Sequence, residues 1–130
     1  MAIYPTSEQV QTLRAGPPDQ PVVMVNVLRF KPRATTDGST ESGEASYMRY
    51  AEAMRKVVES HGGRFVWMGR VDSVVIGDPD ESFNVIGLVE YPSRQKFVEI
   101  AFSDRVKEIG GDRSAGLESQ WLIATTPVPV

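Results

Sequence analysis

Glu44-Ala-Ser-Tyr-Met-Arg-Tyr-Ala-Glu-Ala-Met-Arg-Lys-Val-Val-Glu-Ser-His61-Gly62-Gly63-Arg64-Phe65 is the stretch that sets the architecture. Tyr47, Ala51, Met54, Val58 and His61 recur at steps of four and three, and Tyr50 and Val57 widen the stripe. That spacing predicts an amphipathic helix over 44–61. Arg49, Glu52, Arg55, Lys56 and Glu59 fall on its other side. There Glu52 with Lys56 and Arg55 with Glu59 make surface pairs worth about 0.2–0.5 kcal/mol each. Ser42 is placed to cap the start. Gly62-Gly63 ends the helix, because glycine takes positive φ at no steric cost. Arg64 then opens an extended run, so the helix feeds straight into a strand.

Working back toward the N-terminus, Lys31 to Gly43 is a loop rich in Thr, Ser, Asp, Gly and Pro, long enough to suggest function or mobility. Before it, Val22 to Phe30 holds four valines, a Phe and no breaker, which predicts a strand covered on both faces. Residues 1–21 form an N-terminal extension. In it Thr6-Ser7-Glu8-Gln9 matches a capping box for a short helix ending near Ala15, before Gly16-Pro17-Pro18. Its apolar side is thin (Ile3, Val10, Leu13), so it must lean on another surface.

Toward the C-terminus, Arg64 to Ile76 reads as a long strand with a bulge at Gly69. Gly77 to Ser82 is turn chemistry, and Phe83 to Tyr91 a third strand antiparallel to the second. Arg94 to Phe102 is a second helix, followed by a short turn carrying Val106 and Ile109. Gly110 to Gly116 reads as a mobile loop, Leu117 to Thr125 as the fourth strand, and 128–130 as a tail. The order β-α-β-β-α-β across 22–127 is that of an α+β, ferredoxin-like domain: a four-stranded antiparallel sheet with two helices on one face. The strands are apolar on both sides. The uncovered face therefore predicts a homodimer packed sheet on sheet, since soluble proteins rarely leave so large an apolar patch bare.

Composition narrows the function classes. The 130 residues include no cysteine, which excludes thiol chemistry, disulfides and cysteine-ligated metal. A net charge of −3 without a Lys/Arg run argues against nucleic acid as a partner. No apolar run approaches the roughly 20 residues of a membrane span, and no leader-like stretch opens the chain. A cytoplasmic location is the expectation. Phosphate-loop, dinucleotide, Gly-x-Ser-x-Gly, metalloprotease and kinase signatures are missing, so no cofactor is expected.

His61-Gly62-Gly63-Arg64-Phe65, Val89-Glu90-Tyr91-Pro92-Ser93-Arg94, Phe102-Ser103-Asp104 and Arg113-Ser114-Ala115 occur in that order. Together they resemble the domain of unknown function thirteen-thirty family, within the dimeric α+β barrel superfamily. Asn26-Val27-Leu28-Arg29-Phe30 and Leu122-Ile123-Ala124-Thr125-Thr126-Pro127 resemble a longer subgroup, so the resemblance spans about residues 22–127. It implies a ferredoxin-like domain that dimerises through its sheet, and supplies no general activity or catalytic residues. The wider superfamily contains cofactor-free oxygenases, isomerases, dehydratases and haem-handling proteins, but one fold hosts many functions. Some of those oxygenases place an Asn on the first strand beside a Trp and a His. Here Trp67 and Trp121 lie on the second and fourth strands and His61 ends a helix, which departs from that pattern.

The candidate site residues are polar groups inside apolar strands. Asn26 is an amide that must find partners when buried, or else orient a ligand in a cavity. Arg29 and Arg70 are strand arginines with Glu90 as a natural ion-pair partner; they suit either a rim salt bridge or bidentate binding of a carboxylate or enolate. Tyr47, Tyr50, Met54 and Trp67 fit either core or a pocket between helix and sheet. Arg113, beside the glycines, is placed to reach over a pocket mouth. His61 is explained by its place at a helix C-terminus, where the dipole favours a cation. Asp78-Pro79-Asp80-Glu81 is an acidic cluster in a solvated hairpin rather than a metal site. The reading that follows is a domain binding a small organic acid or aromatic. Acid–base catalysis there would run through Glu90 or Tyr50, with Asn26, Arg29, Trp67, Arg70 and Arg113 binding the ligand. The rival is a non-catalytic homodimeric module whose strand polar groups only pair with one another. A haem protein is a third reading, with His61 as the one obvious ligand.

Overall fold

The computed structural model describes residues 2–36, 38–78 and 82–130. Helix α1 (Ser7–Arg14) precedes strand β1 (Val22–Phe30), helix α2 (Gly43–Ser60) and strand β2 (Arg64–Arg70). Strand β3 (Val85–Tyr91), helices α3 (Arg94–Ala101) and α4 (Asp104–Gly116), and strand β4 (Leu117–Thr125) complete the chain. The strands stand in the order β2-β3-β1-β4 and every neighbouring pair is antiparallel. That is the ferredoxin-like arrangement.

Alternation along β1 decides what each face sees. Val22, Met24, Asn26, Leu28 and Phe30 point toward the helices; Val23, Val25, Val27 and Arg29 point away. Leu28 and Val58 are fully enclosed in the core shared by sheet and α2, and Ile100 of α3 and Leu117 of β4 are almost so. The Thr6 capping box forms in both directions, and Ser42, Ser93 and Ser103 cap α2, α3 and α4. His61 is the exposed C-cap of α2, its Nδ1 2.9 Å from the Val57 carbonyl, and Gly62 takes the left-handed turn at φ +86°.

Two elements differ from the sequence reading. Strand β2 stops at Arg70 rather than Ile76, and its register shift lies between Phe65 and Trp67, not at Gly69. Among the described residues beyond it, the Val71 N–H alone reaches across, to the Asn84 carbonyl at 2.9 Å, and β3 begins only at Val85. Val75 and Ile76 are left exposed. The second difference is α4, which continues through the glycines expected to form a loop. The Ser114 hydroxyl donates back to the carbonyls of Gly110 and Gly111, and Ser46 of α2 donates to the Asp112 carbonyl at 2.8 Å. Gly116 is needed for close approach, since a Cβ there would collide with the Gly43 carbonyl oxygen. The Lys31 N–H donates to Gly116 O, and Gly43 N–H to Lys31 O, tying β1, α2 and α4 at this point. The acidic cluster at 78–81 falls mostly outside the described residues.

Candidate ligand cavity between sheet and helices

The N-terminal extension, α2, α3 and α4 do not close fully onto the sheet. Between them lies a cavity of about 1480 Å³ that opens to solvent. Ligand pockets usually occupy roughly 300–1,000 Å³, so only part of this space need serve one small molecule. Its walls are mostly apolar, with Met24, Met54, Phe65, Met68 and Phe97 among them.

A polar relay crosses this apolar space. The Gln120 side chain donates from Nε2 to Asn26 Oδ1 at 2.8 Å, and Gln120 Oε1 accepts from Arg113 Nη2 at 2.7 Å. Register explains the meeting: Asn26 pairs with Leu122 and Leu28 with Gln120, so both amides emerge on the helix side of adjacent strands. Asn26 Nδ2 makes longer bonds to the carbonyls of Met24 (3.3 Å) and Gly87 (3.4 Å). Arg113 arrives from α4 and also donates from Nη2 to the Ile3 carbonyl, with its guanidinium 5.3 Å from the centre of the Tyr4 ring. The Gln120 N–H donates to Ala2 O at 3.0 Å, so the N-terminal segment is pinned over this end of the cavity. At the far end Arg94, 8% exposed, donates to the Pro17 carbonyl and the Thr126 hydroxyl.

Tyr47 and Tyr50 of α2 and Tyr91 of β3 line the same space. Burial pushes the Tyr47 hydroxyl well above the ordinary phenol range; the neighbouring Tyr50 adds to this and Arg113 opposes it. Burial also raises Tyr50, again opposed by Arg113, and raises Tyr91, with Tyr50 and Tyr47 adding to the shift. All three remain protonated donors at neutral pH. The charged side chains on the described walls are Arg94, Lys107, Arg113 and Glu8, a cationic surplus in a chain whose net charge is −3.

The candidates from the sequence divide between two places. Asn26, Tyr50 and Arg113 come together in the cavity, with Tyr47 and Met54. Glu90, Arg29 and Trp67 lie on the other face of the sheet, as the register requires. Glu90 pairs there with Arg64 at 3.3 Å, and Arg29 with Glu118 at 3.3 Å. Arg70 forms a two-pronged bond with Glu44, at 2.7 and 2.8 Å, outside the cavity. Gln120, Tyr91 and Arg94 were not singled out from the sequence. A polar residue in a strand signalled Asn26, and the same signal marks Gln120, but its facing depends on a register that the sequence does not state. Among the described residues no group of three side chains is arranged to hold a metal ion, and no helix is long and apolar enough to cross a membrane.

A ferredoxin-like sheet with helices and a cavity on one side and an apolar surface on the other defines the structural class. Residues 40–126 match the family described as Domain of unknown function (DUF1330), and the chain belongs to that family. It is similar to RPA0582, a protein of unknown function from Rhodopseudomonas palustris, at 33% identity over 98% of each chain with a TM-score of 0.89. The hydroxynitrile lyase of Passiflora edulis shares the fold at 10% identity and a TM-score of 0.61, over 87% of this chain and 98% of its own. SnoaB, a cofactor-independent oxygenase from Streptomyces nogalater, shares it at 12% identity and a TM-score of 0.51, over 85% and 96%. No curated protein matches the chain significantly.

Proposed function

We propose that the chain binds a small organic acid or acidic aromatic molecule in the cavity between sheet and helices. The observation that carries this reading is the relay Asn26–Gln120–Arg113 set into apolar walls. Arg113 spends Nη2 on Gln120 and Ile3, while Nε and Nη1 have no hydrogen-bond partner among the described residues. A guanidinium held in this way offers a carboxylate or enolate two converging donors. Any chemistry there would be cofactor-free and use the protonated Tyr50 hydroxyl as a hydrogen-bond donor to a developing oxyanion, because burial makes it a weak acid. Glu90, the other acid–base candidate, faces the opposite side, and a phenol held above its ordinary range is a poor base near neutral pH. The lyase and the cofactor-independent oxygenase on this fold support its suitability for such chemistry, by analogy alone.

The test is a titration of ¹⁵N-labelled protein with benzoate and, separately, neutral benzamide. Benzoate is expected to move the side-chain amide resonances of Asn26 and Gln120, and Arg113→Met to weaken its binding about tenfold. Movement confined to the Trp67 indole, which is not on the cavity wall, would place binding on the other face and end this reading.

A second observation favours self-association, which is compatible with ligand binding. Val23, Val25, Val27 and Leu88 form an apolar sheet face, flanked by Trp67 (55% exposed) and Trp121 (54% exposed). We propose that a second copy of the chain covers this face. Sedimentation at micromolar concentration is expected to give a dimer, and a monodisperse monomer would refute it.

A further inference from the structure

The tyrosines of the cavity carry more than packing requires. Tyr47 is 5% exposed, Tyr50 8% and Tyr91 4%. A buried phenol ordinarily finds a hydrogen-bond partner, yet among the described residues none of these three hydroxyls has one. Every fully enclosed side-chain nitrogen or oxygen among those residues is satisfied, so the three unpaired hydroxyls must keep access to the cavity. Bare rings do the same packing next door: Phe30 meets Tyr47 at 5.3 Å between centroids, and Phe97 meets Tyr91 edge-on at 4.9 Å. Phenylalanine would fill these places without stranding a polar group.

The three also converge. Tyr47 and Tyr50 have ring centres 5.4 Å apart, one turn along α2. All three line the one cavity; the charge of Tyr50 opposes ionisation of Tyr47, those of Tyr50 and Tyr47 oppose that of Tyr91, and Arg113 eases that of Tyr47 and Tyr50. Three neutral donors and a cation therefore face one volume, and the one carboxylate on its described walls is Glu8, on the exposed helix α1.

We propose that the hydroxyls of Tyr47, Tyr50 and Tyr91, with Arg113, form a subsite for one anionic ligand oxygen: a carboxylate, enolate or phenolate. This rests on the cavity being the ligand site and adds which oxygen it selects and how. Donors fixed by packing toward a point stabilise charge there without reorganising, as in an oxyanion hole. A phenolate gains charge-assisted hydrogen bonds here that its neutral methyl ether, a weak and uncharged acceptor, does not, so the subsite discriminates by charge rather than by shape.

The experiment uses the full chain with 4-nitrophenol, whose phenolate is coloured, and its methyl ether 4-nitroanisole as the uncharged match. At about one pH unit below the free probe's pKa, the bound phenol is expected to be mostly ionised. Tyr47→Phe, Tyr50→Phe and Tyr91→Phe each keep the ring. Each is expected to weaken phenolate binding about tenfold and leave 4-nitroanisole binding unchanged. Three substitutions guard against one that fails to fold. If phenolate and ether bind alike, or if the three variants bind phenolate as the parent does, the subsite is overturned while the cavity stands. Failure of both probes to bind would overturn the cavity reading as well.

Discussion

The two faces of the sheet are built from the same four strands and carry different chemistry. Toward the helices, β1 presents Met24, Asn26 and Leu28 to a core that closes around Leu28 and opens beside Asn26. Away from them, Val23, Val25 and Val27 make a plain apolar surface with ion pairs at its margins, Arg29–Glu118 and Arg64–Glu90. Polar residues on the first face are drawn into one relay and leave donors free. On the second, Arg29 and Arg64 each meet one carboxylate through Nε at an exposed margin, where water rather than a ligand takes up their remaining donors. Position inside an apolar strand is therefore not what marks a functional polar group; the face it occupies is.

The sharpest way to break this contrast is to truncate neighbours in β1. Leu28→Ala is expected to cost about 2–5 kcal/mol of unfolding free energy, because the surrounding core cannot collapse into the cavity left behind. Val27→Ala, one residue away on the open face, is expected to cost the folded protomer far less and to weaken self-association instead. Denaturant melts at several protein concentrations separate the two effects. If both variants lose the same protomer stability, the faces do not differ as argued.

Next in size is the open face itself. Trp67→Glu combined with Trp121→Glu places two charges in the proposed interface, and is expected to weaken the dimer at least a hundredfold while the circular dichroism spectrum holds. An unchanged sedimentation profile would show that this face is not the interface.

A smaller effect appears at alkaline pH. The folded pKa values of Tyr47, Tyr50 and Tyr91 lie above their unfolded value of 10.0, so the folded state holds these protons longer. Their contribution is intact below that pH and is lost as pH rises beyond it. Absorbance of ionised tyrosine is expected to rise for these three together with unfolding, not before it. Early ionisation of all three would show the phenols to be more open than described.

The smallest effect belongs to Glu44. Its carboxyl is held below the ordinary range first by the hydrogen bond from Arg70, then by that arginine's charge, against a raising effect of burial. A lowered folded pKa gives stability that is present above the unfolded pKa and is lost as pH falls through the folded one. Glu44→Gln is expected to flatten the acid limb of the stability curve slightly, since the pair is solvent-exposed. A large change would mean that the pair does more than join α2 to β2.

Periodicity made much of this legible in the sequence. The steps of four and three in α2, the valines of β1 and the capping box at Thr6 each foretell an element that the structure contains, and their order foretells the fold. What local pattern cannot report is a partner. Residues 71–76 have a strand-like sequence but, among the described residues, no strand to pair with beyond Val71, and β2 ends early. Gly110, Gly111 and Gly116 resemble a loop, yet all three lie in α4; at Gly116, where α2 packs against it, the missing side chain is the condition for close approach. The site divides for the same reason. Asn26, Tyr50 and Arg113 were visible as residues, but Gln120 joins them only through the β1–β4 register, and that register sends Glu90 and Trp67 to the other side.

A crystal structure of the protein grown with benzoate tests the division of labour between the faces most directly. The account predicts benzoate in the cavity, its carboxylate within hydrogen-bond distance of Arg113 and of at least one of the Tyr47, Tyr50 and Tyr91 hydroxyls. It predicts a second copy of the chain over Trp67 and Trp121. Benzoate bound against the open face, or a collapsed cavity with those hydroxyls bonded to protein groups and the tryptophans bare to solvent, would contradict it.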